Sequence, residues 1–184
     1  MKATGIVRRI DDLGRVVIPK EIRRTMHIRE GDPLEIFTDS GGEVVFKKYS
    51  PIGEFAPFAT QYADVLARAM NMSVAVADRD GAVAAAGPLK KELMGKRLSA
   101  EAEKLLTERQ PFIARSPEQT LLPFDGMDKP ACLMFPILAA GDMAGTVCAF
   151  ANDVAPGTQG ALPGETDVKL MQVTAAFLGK QMEG

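Results

Sequence analysis

Short β-branched and apolar runs of strand length mark the first fifty residues, and spacings of three and four mark much of the rest. Residues 4–10 read as a strand, with Ile6, Arg8 and Ile10 on one face and Val7 and Arg9 on the other. Asp11-Asp12-Leu13-Gly14 reads as a turn in which Gly14 is free to take positive φ. Val16, Val17 and Ile18 are β-branched and suit a second strand. Pro19 has no N–H to give a ladder, so that strand stops there. The same proline is pre-set for the first turn of a helix, and Glu21 suits the helix's positive end. Ile22 and Met26, at i and i+4, share its apolar edge, and the helix is expected to end near His27. Residues 29–33 form a loop closed by Pro33. Residues 34–39 and 43–49 are two further strands, joined through Ser40-Gly41-Gly42 as a tight hairpin.

Ser50-Pro51-Ile52-Gly53 reads as a boundary, and the pattern changes after it. Over residues 54–72, Phe55, Ala59, Tyr62, Leu66 and Ala69 follow a heptad seam that Val65 and Met70 widen. Residues 73–78 and 82–86 are strands around the turn Arg79-Asp80-Gly81. Residues 98–108 are a helix, with Ser99 as N-cap and acids at Glu101 and Glu103. Residues 112–114 form a short strand and residues 116–129 an irregular polar loop. Residues 131–138 and 146–151 are buried strands joined through Ala140-Gly141-Asp142, and residues 152–164 are a glycine- and proline-rich loop. The last helix, residues 165–182, repeats apolar side chains at Val168, Met171, Ala175, Leu178 and Met182. This order predicts an α+β chain whose second part is an antiparallel sheet with flanking helices.

Charge divides the chain as the hydrophobic pattern does. The net charge is −2. Lys2, Arg8, Arg9, Arg15, Lys20, Arg23, Arg24 and Arg29 face only Asp11, Asp12 and Glu21 in the first 29 residues, which leaves +5 there and −7 beyond. A basic head on an acidic body points to a polyanion at one end. Arginines crowded between a strand and a helix form a surface suited to an anion. The 184 residues are 46% hydrophobic and 25% charged, with no apolar run of membrane-spanning length and no signal-peptide pattern. Cys132 and Cys148 are then expected as reduced core residues of a cytoplasmic protein, and no membrane partner is expected.

Fifty residues with one short helix bury too little apolar surface to stand alone. No metal cluster and no cysteine supports them, so two chains must share strands. From Lys2-Ala3-Thr4-Gly5-Ile6-Val7-Arg8 through Asp12-Leu13-Gly14-Arg15-Val16-Val17-Ile18-Pro19 to Lys47-Lys48-Tyr49, the head closely resembles the AbrB-like transition-state regulators. The resemblance implies a swapped-hairpin dimer around one barrel-like core, with double-stranded DNA as partner. It puts the DNA-contacting arginines of that family on Arg8, Arg15, Arg23 and Arg24, with Arg9, Lys2 and Lys47 as further candidates. Arginine pairs usually mark a solvated helix face, and Lys47 and Lys48 also suit the guarding of a strand edge. His27, the only histidine, suits a capping place at a helix end better than catalysis or metal binding.

The second part resembles a GAF domain, a small-molecule sensing fold that sporulation regulators with this head also carry. An unidentified small-molecule effector therefore joins the expected partners. A pocket is expected between the 116–129 loop and the sheet face near Phe135. Surplus apolar positions on both long helices predict assembly through Phe55, Tyr62, Leu66, Leu178 and Met182, pairing head dimers into tetramers. No Gly-x-Ser-x-Gly elbow, phosphate loop or metal-spaced His–Cys cluster is present, so no enzyme and no cofactor are expected. The reading is a DNA-binding, nucleoid-associated transcriptional regulator of the sporulation or transition-state type. Its DNA-binding and dimerisation head spans residues 1–53, and its sensing and assembly domain spans residues 54–184. The alternative is an antitoxin that regulates its own operon. Antitoxin tails are short and disordered alone, whereas this tail is long, apolar and patterned.

Overall fold

The computed structural model describes residues 4–152 and 161–183. The chain divides into two compact units, residues 1–49 and 50–184.

In the first unit, helix α1 (Lys20–Thr25) follows Pro19, whose φ of −57° and ψ of 149° bring the chain in extended. The helix ends in a two-bond clasp. Ile28 N–H reaches the Arg23 carbonyl and His27 N–H the Arg24 carbonyl, with His27 left-handed at φ 51°. Strands β1 (Leu34–Thr38) and β2 (Val44–Lys48) pair antiparallel from Leu34 opposite Lys48 to Thr38 opposite Val44. Their turn is held by Asp39, whose carboxylate accepts the N–H groups of Gly41 and Glu43 at 3.0 and 2.9 Å.

Residues 4–10 and 16–18, expected as strands, form no ladder within the chain. A strand exists only through its partner, and one copy supplies none here. The apolar side chains show the same lack. Val7, Ile10, Val17 and Met26 are all more than half exposed, so the expected buried edge of α1 has nothing to pack on. Pro19 is the only buried residue among the described residues of this unit.

The second unit is a five-stranded antiparallel sheet, in the order β4-β3-β7-β6-β5, between two helical layers. Its elements in chain order are α2 (Pro51–Glu54), α3 (Ala56–Met70), β3 (Met72–Ala77), β4 (Ala82–Ala86), α4 (Lys90–Leu93), α5 (Ala100–Thr107), β5 (Phe112–Ile113), β6 (Leu133–Ala139), β7 (Asp142–Ala151) and α6 (Glu165–Gln181). β3 shows how sequence sets the layers. Its Val74 and Val76 face α3 and α6, while Ala75 and Ala77 face α4, α5 and the 116–129 loop. Ser99 caps α5 as expected, accepting the Ala102 N–H at 3.2 Å.

The helix expected over residues 54–72 is α3, from Ala56 to Met70, and the expected boundary before it is the short helix α2. Pro57 has no N–H for the carbonyl one turn back, and its ring clashes there, so α2 stops and α3 starts afresh. The buried stripe of α3 is Ala59, Ala63, Leu66, Ala67 and Met70, which leaves Tyr62 and Ala69 beside it. A straight helix drifts from a 3.5-residue repeat, so the expected seam was turned by about a residue. β7 begins at Asp142, four residues before the expected 146. Gly145 hides that strand by composition, yet only glycine fits, since a β-carbon would strike the Ala77 carbonyl. Most of the expected 152–164 loop lies outside the described residues.

Cys132 and Cys148 are buried and free. Loss of solvent pushes the Cys132 thiol up to about 11 and Cys148 up to about 12, from an ordinary value of 9.0. Above pH 9 the unfolded chain loses these protons while the folded chain keeps them, so stability falls as pH rises. The slope is at most about 1.4 kcal/mol per pH unit for each thiol. Urea midpoints of the second unit are expected to fall between pH 9 and 11, less steeply in a Cys132→Ala/Cys148→Ala variant. An identical pH profile in both proteins overturns this attribution.

Candidate nucleic-acid interface

The cationic side chains of the first unit are set by its turns. Asp11 organises the segment before α1. Its backbone N–H donates to the Arg15 carbonyl at 3.0 Å, and its carboxylate accepts the Leu13 and Arg15 N–H groups at 3.0 and 2.7 Å. Gly14 closes the turn at φ 75°. The same carboxylate accepts Arg15 Nε at 2.8 Å, so the guanidinium is aimed while remaining 69% exposed. The bonds from the Arg15 backbone and then its side chain hold the Asp11 carboxyl below its ordinary range.

Arg23 and Arg24 stand in the last turn of α1, and both are exposed. Arg8 and Arg9 are exposed on the segment before the Asp11 turn. Lys47 is exposed on β2 with its ammonium 6.0 Å from the Phe37 ring centre, at the outer reach of a cation–π contact. Lys2 lies outside the described residues. Lys48 is turned to structure instead: its ammonium donates to the His27 carbonyl at 2.9 Å and lies 3.8 Å from Asp32. Asp11 was missed as the residue that positions Arg15, although its spacing of four from Arg15 was the available signal.

The assembly candidates separate by burial. Leu66 and Leu178 are each 5% exposed and belong to the second unit's own core. Phe55, Tyr62 and Met182 stay at least partly open. Around Tyr62 lies a patch that sequence reading missed. The rings of Tyr62 and Phe177 stack with centres 5.3 Å apart, and Phe58 lies 6.2 and 6.0 Å from them. Val65 and Val173 extend this apolar face of α3 and α6, exposed by 68% and 62%. Phe58, Tyr62 and Val65, and then Val173 and Phe177, are spaced by four or three, so a second stripe beside the core stripe was the overlooked signal.

The expected pocket does not form. Leu121 and Phe124 of the 116–129 loop fill one face of the sheet, with Phe124 stacked on Phe150 at 6.2 Å. Phe135 packs on the opposite face, against the α3 and α6 layer. One residue along a strand reverses the face, and the neighbouring Met134 is the side chain that meets the loop. Among the described residues, no three acidic, cysteine or histidine side chains converge as a metal would require. None of their helices is long and apolar enough to cross a membrane.

A profile described as stage V sporulation protein T C-terminal, transcription factor, matches residues 54–183. A second, for the MazE bacterial antitoxin that recognises its toxin, matches residues 7–53. The stage V sporulation protein T of Bacillus subtilis is 46% identical over 185 aligned residues, covering 100% of this chain and 99% of that protein. The chain belongs to the stage V sporulation protein T family. Its head is 59% identical to the transition state regulatory protein AbrB of the same organism over 51 residues, 28% of this chain and 52% of AbrB. The cofactor-binding GAF domain of the nutrient sensor CodY from Clostridium difficile superimposes with a TM-score of 0.50 at 15% identity, covering 67% of this chain and 83% of that domain. As a family member the chain is a transcriptional regulator of the sporulation and transition-state type, with an AbrB-like head and a GAF-type fold behind it.

Proposed function

We propose that this regulator binds double-stranded DNA through its head, as a dimer whose two copies interleave strands. The observation that carries the reading is the coreless, arginine-rich head. Arg8, Arg9, Arg15, Arg23 and Arg24 are all exposed, while the strands that would carry a core lack partners. A second copy supplies both needs at once: ladder partners for residues 4–10 and 16–18, and a doubled set of arginines. Helix α1 has six residues, too short to serve as a groove-reading helix. Phosphate contacts and DNA shape then supply most of the binding, with a few arginines entering a groove. A promoter duplex titrated by fluorescence anisotropy over a salt series should give a slope of log K against log salt of about −5 to −7. Arg68→Ala and Arg109→Ala, in the acidic body, should leave it unchanged. A salt-independent affinity sinks the reading.

The second unit pairs head dimers into tetramers through the aromatic face of α3 and α6. Light scattering on the full chain is expected to give a tetramer, and Tyr62→Glu with Phe177→Glu a dimer whose head still binds DNA. A monomer or dimer in the unmutated chain excludes this assembly. The setting is the cytoplasm, on the nucleoid. A small-molecule effector of the second unit would have to displace Leu121 and Phe124, which fill the sheet face under the 116–129 loop. The antitoxin alternative rests on the head alone, and a toxin gene beside this one would favour it.

A further inference from the structure

Arg8, Arg9, Arg15, Arg23 and Arg24 are all exposed, yet among the described residues only Arg15 of these is held by a carboxylate. Asp11 Oδ2 accepts its Nε–H at 2.8 Å. Asp11 Oδ1 is meanwhile fixed by the Leu13 and Arg15 backbone N–H groups at 3.0 and 2.7 Å, and the Gly14 N–H closes on the Asp11 carbonyl at 3.0 Å. These bonds hold the carboxyl below its ordinary range, so it is an anion at neutral pH. The guanidinium is therefore gripped along its Nε edge and open at its Nη end, on a side chain 69% exposed.

That grip decides what the guanidinium can accept. A guanidinium offers two-pronged edges, either Nε with one Nη or both Nη groups together. The first is spent on Asp11, and the second remains as two parallel N–H donors. A phosphate seated there would put a second anion on a cation that Asp11 already neutralises, and like charges brought together cost affinity. A base edge carries no charge and escapes that repulsion. Among major-groove edges, guanine alone offers two neighbouring acceptors, N7 and O6, spaced for two parallel N–H groups. Helix α1, six residues long, is too short to read a groove, so direct readout falls to isolated side chains.

We infer that Asp11 makes Arg15 the guanine reader of the head, with the carboxylate as positioning residue and the Nη end as the reading edge. The inference rests on the proposed DNA binding and names the base and the two side chains that give it sequence preference. A dimer carries the pair twice, so two guanines related by twofold symmetry should be read. Removing Arg15 changes the local charge by one per copy whether the guanidinium meets a base or a phosphate. The salt slope therefore does not separate these roles, whereas the chemistry of the base does.

Duplexes selected from a random library by the unmutated full chain supply the probe. Each guanine is then replaced in turn by 7-deazaguanine, which lacks the N7 acceptor but keeps the pairing and the phosphates. In anisotropy titrations at low salt, the most sensitive position should weaken binding by the unmutated chain about tenfold. Arg15→Lys keeps the charge without the fork, so it should keep the salt slope and lose that penalty. Asp11→Asn has an amide oxygen for the Leu13 and Arg15 N–H groups but releases the guanidinium to phosphates. Its binding to an unrelated duplex should hold or strengthen, while the penalty drops to about threefold or less. Arg23→Ala should bind more weakly and keep the full penalty. Circular dichroism checks the fold of each variant. A penalty absent from the unmutated chain, or equal in Arg15→Lys, overturns the guanine reading, and one that survives Asp11→Asn in full overturns the part of Asp11. No binding of any duplex by the unmutated chain overturns the DNA reading, and this proposal with it.

Discussion

Arg15→Ala combined with Arg23→Ala is expected to lower DNA affinity about a thousandfold at 0.15 M salt with the head still folded. A dimer presents each arginine twice, so the double variant removes four cations from the DNA face. At about 0.9 released counterions per contact, log K against log salt should flatten by about three to four units. Extrapolated from 1 M to 0.15 M, that change is about three decades. Either single variant should flatten the slope by about two units and cost about thirtyfold. Folding survives because Arg15 and Arg23 are exposed and the Arg15–Asp11 pair is an open one, worth little to stability. The Asp11 turn also keeps its backbone bonds to residues 13 and 15 without the guanidinium. Anisotropy over a salt series gives the slopes, and circular dichroism checks the fold. Losses equal to those of Arg68→Ala would remove the arginines from the interface.

Gly179→Ala should be among the most damaging small substitutions in the second unit. α6 crosses β6 so closely that a β-carbon on Gly179 would strike the Leu138 carbonyl. That obstacle is backbone, so no side chain can swing aside. Either α6 lifts from the sheet, opening the contacts of Met171, Ala175 and Leu178, or the strand bends. The expected cost is about 3–5 kcal/mol. Gly164→Ser is the matched control. It precedes α6, its nearest neighbour is Asp167 Oδ2 at 3.5 Å, and serine is a better N-cap there by a few tenths of a kcal/mol. Urea unfolding followed by far-ultraviolet dichroism distinguishes them. A Gly179→Ala protein within about 1 kcal/mol of the parent would mean that the helix and strand adapt freely.

These predictions show where sequence was readable. The last helix declared itself because Val168, Met171, Ala175, Leu178 and Met182 repeat an apolar period over about four turns, long enough to outweigh local preference. The α5 start was equally plain, since Ser99 puts a specific oxygen where an unpaired N–H needs one. By contrast, Gly145 and Gly179 read as weak points, although each is demanded by a backbone carbonyl from a distant strand. Such close approaches leave no mark in a local window. Helix α4, four residues long, is too short to show any period. The arginines were legible as a charge imbalance, but Asp11 as the organiser of Arg15 was not, because it acts through geometry and not through net charge. The aromatic face of Phe58, Tyr62 and Phe177 joins two helices about a hundred residues apart, and only folding brings them together.

A head with Pro19 as its sole buried residue among those described has no folded form to fall back on when alone. In the proposed assembly its folding is second order in chain concentration, so halving the protein level more than halves the supply of competent heads. Pairing through the α3–α6 face, as proposed, would alter that law. Once two bodies are joined, their heads meet at the effective concentration of a tethered pair rather than that of free chains. In that proposed assembly the aromatic patch would set the abundance at which the regulator switches on, and Phe177 would be a dial for dosage though it is far in sequence from every arginine that would touch DNA.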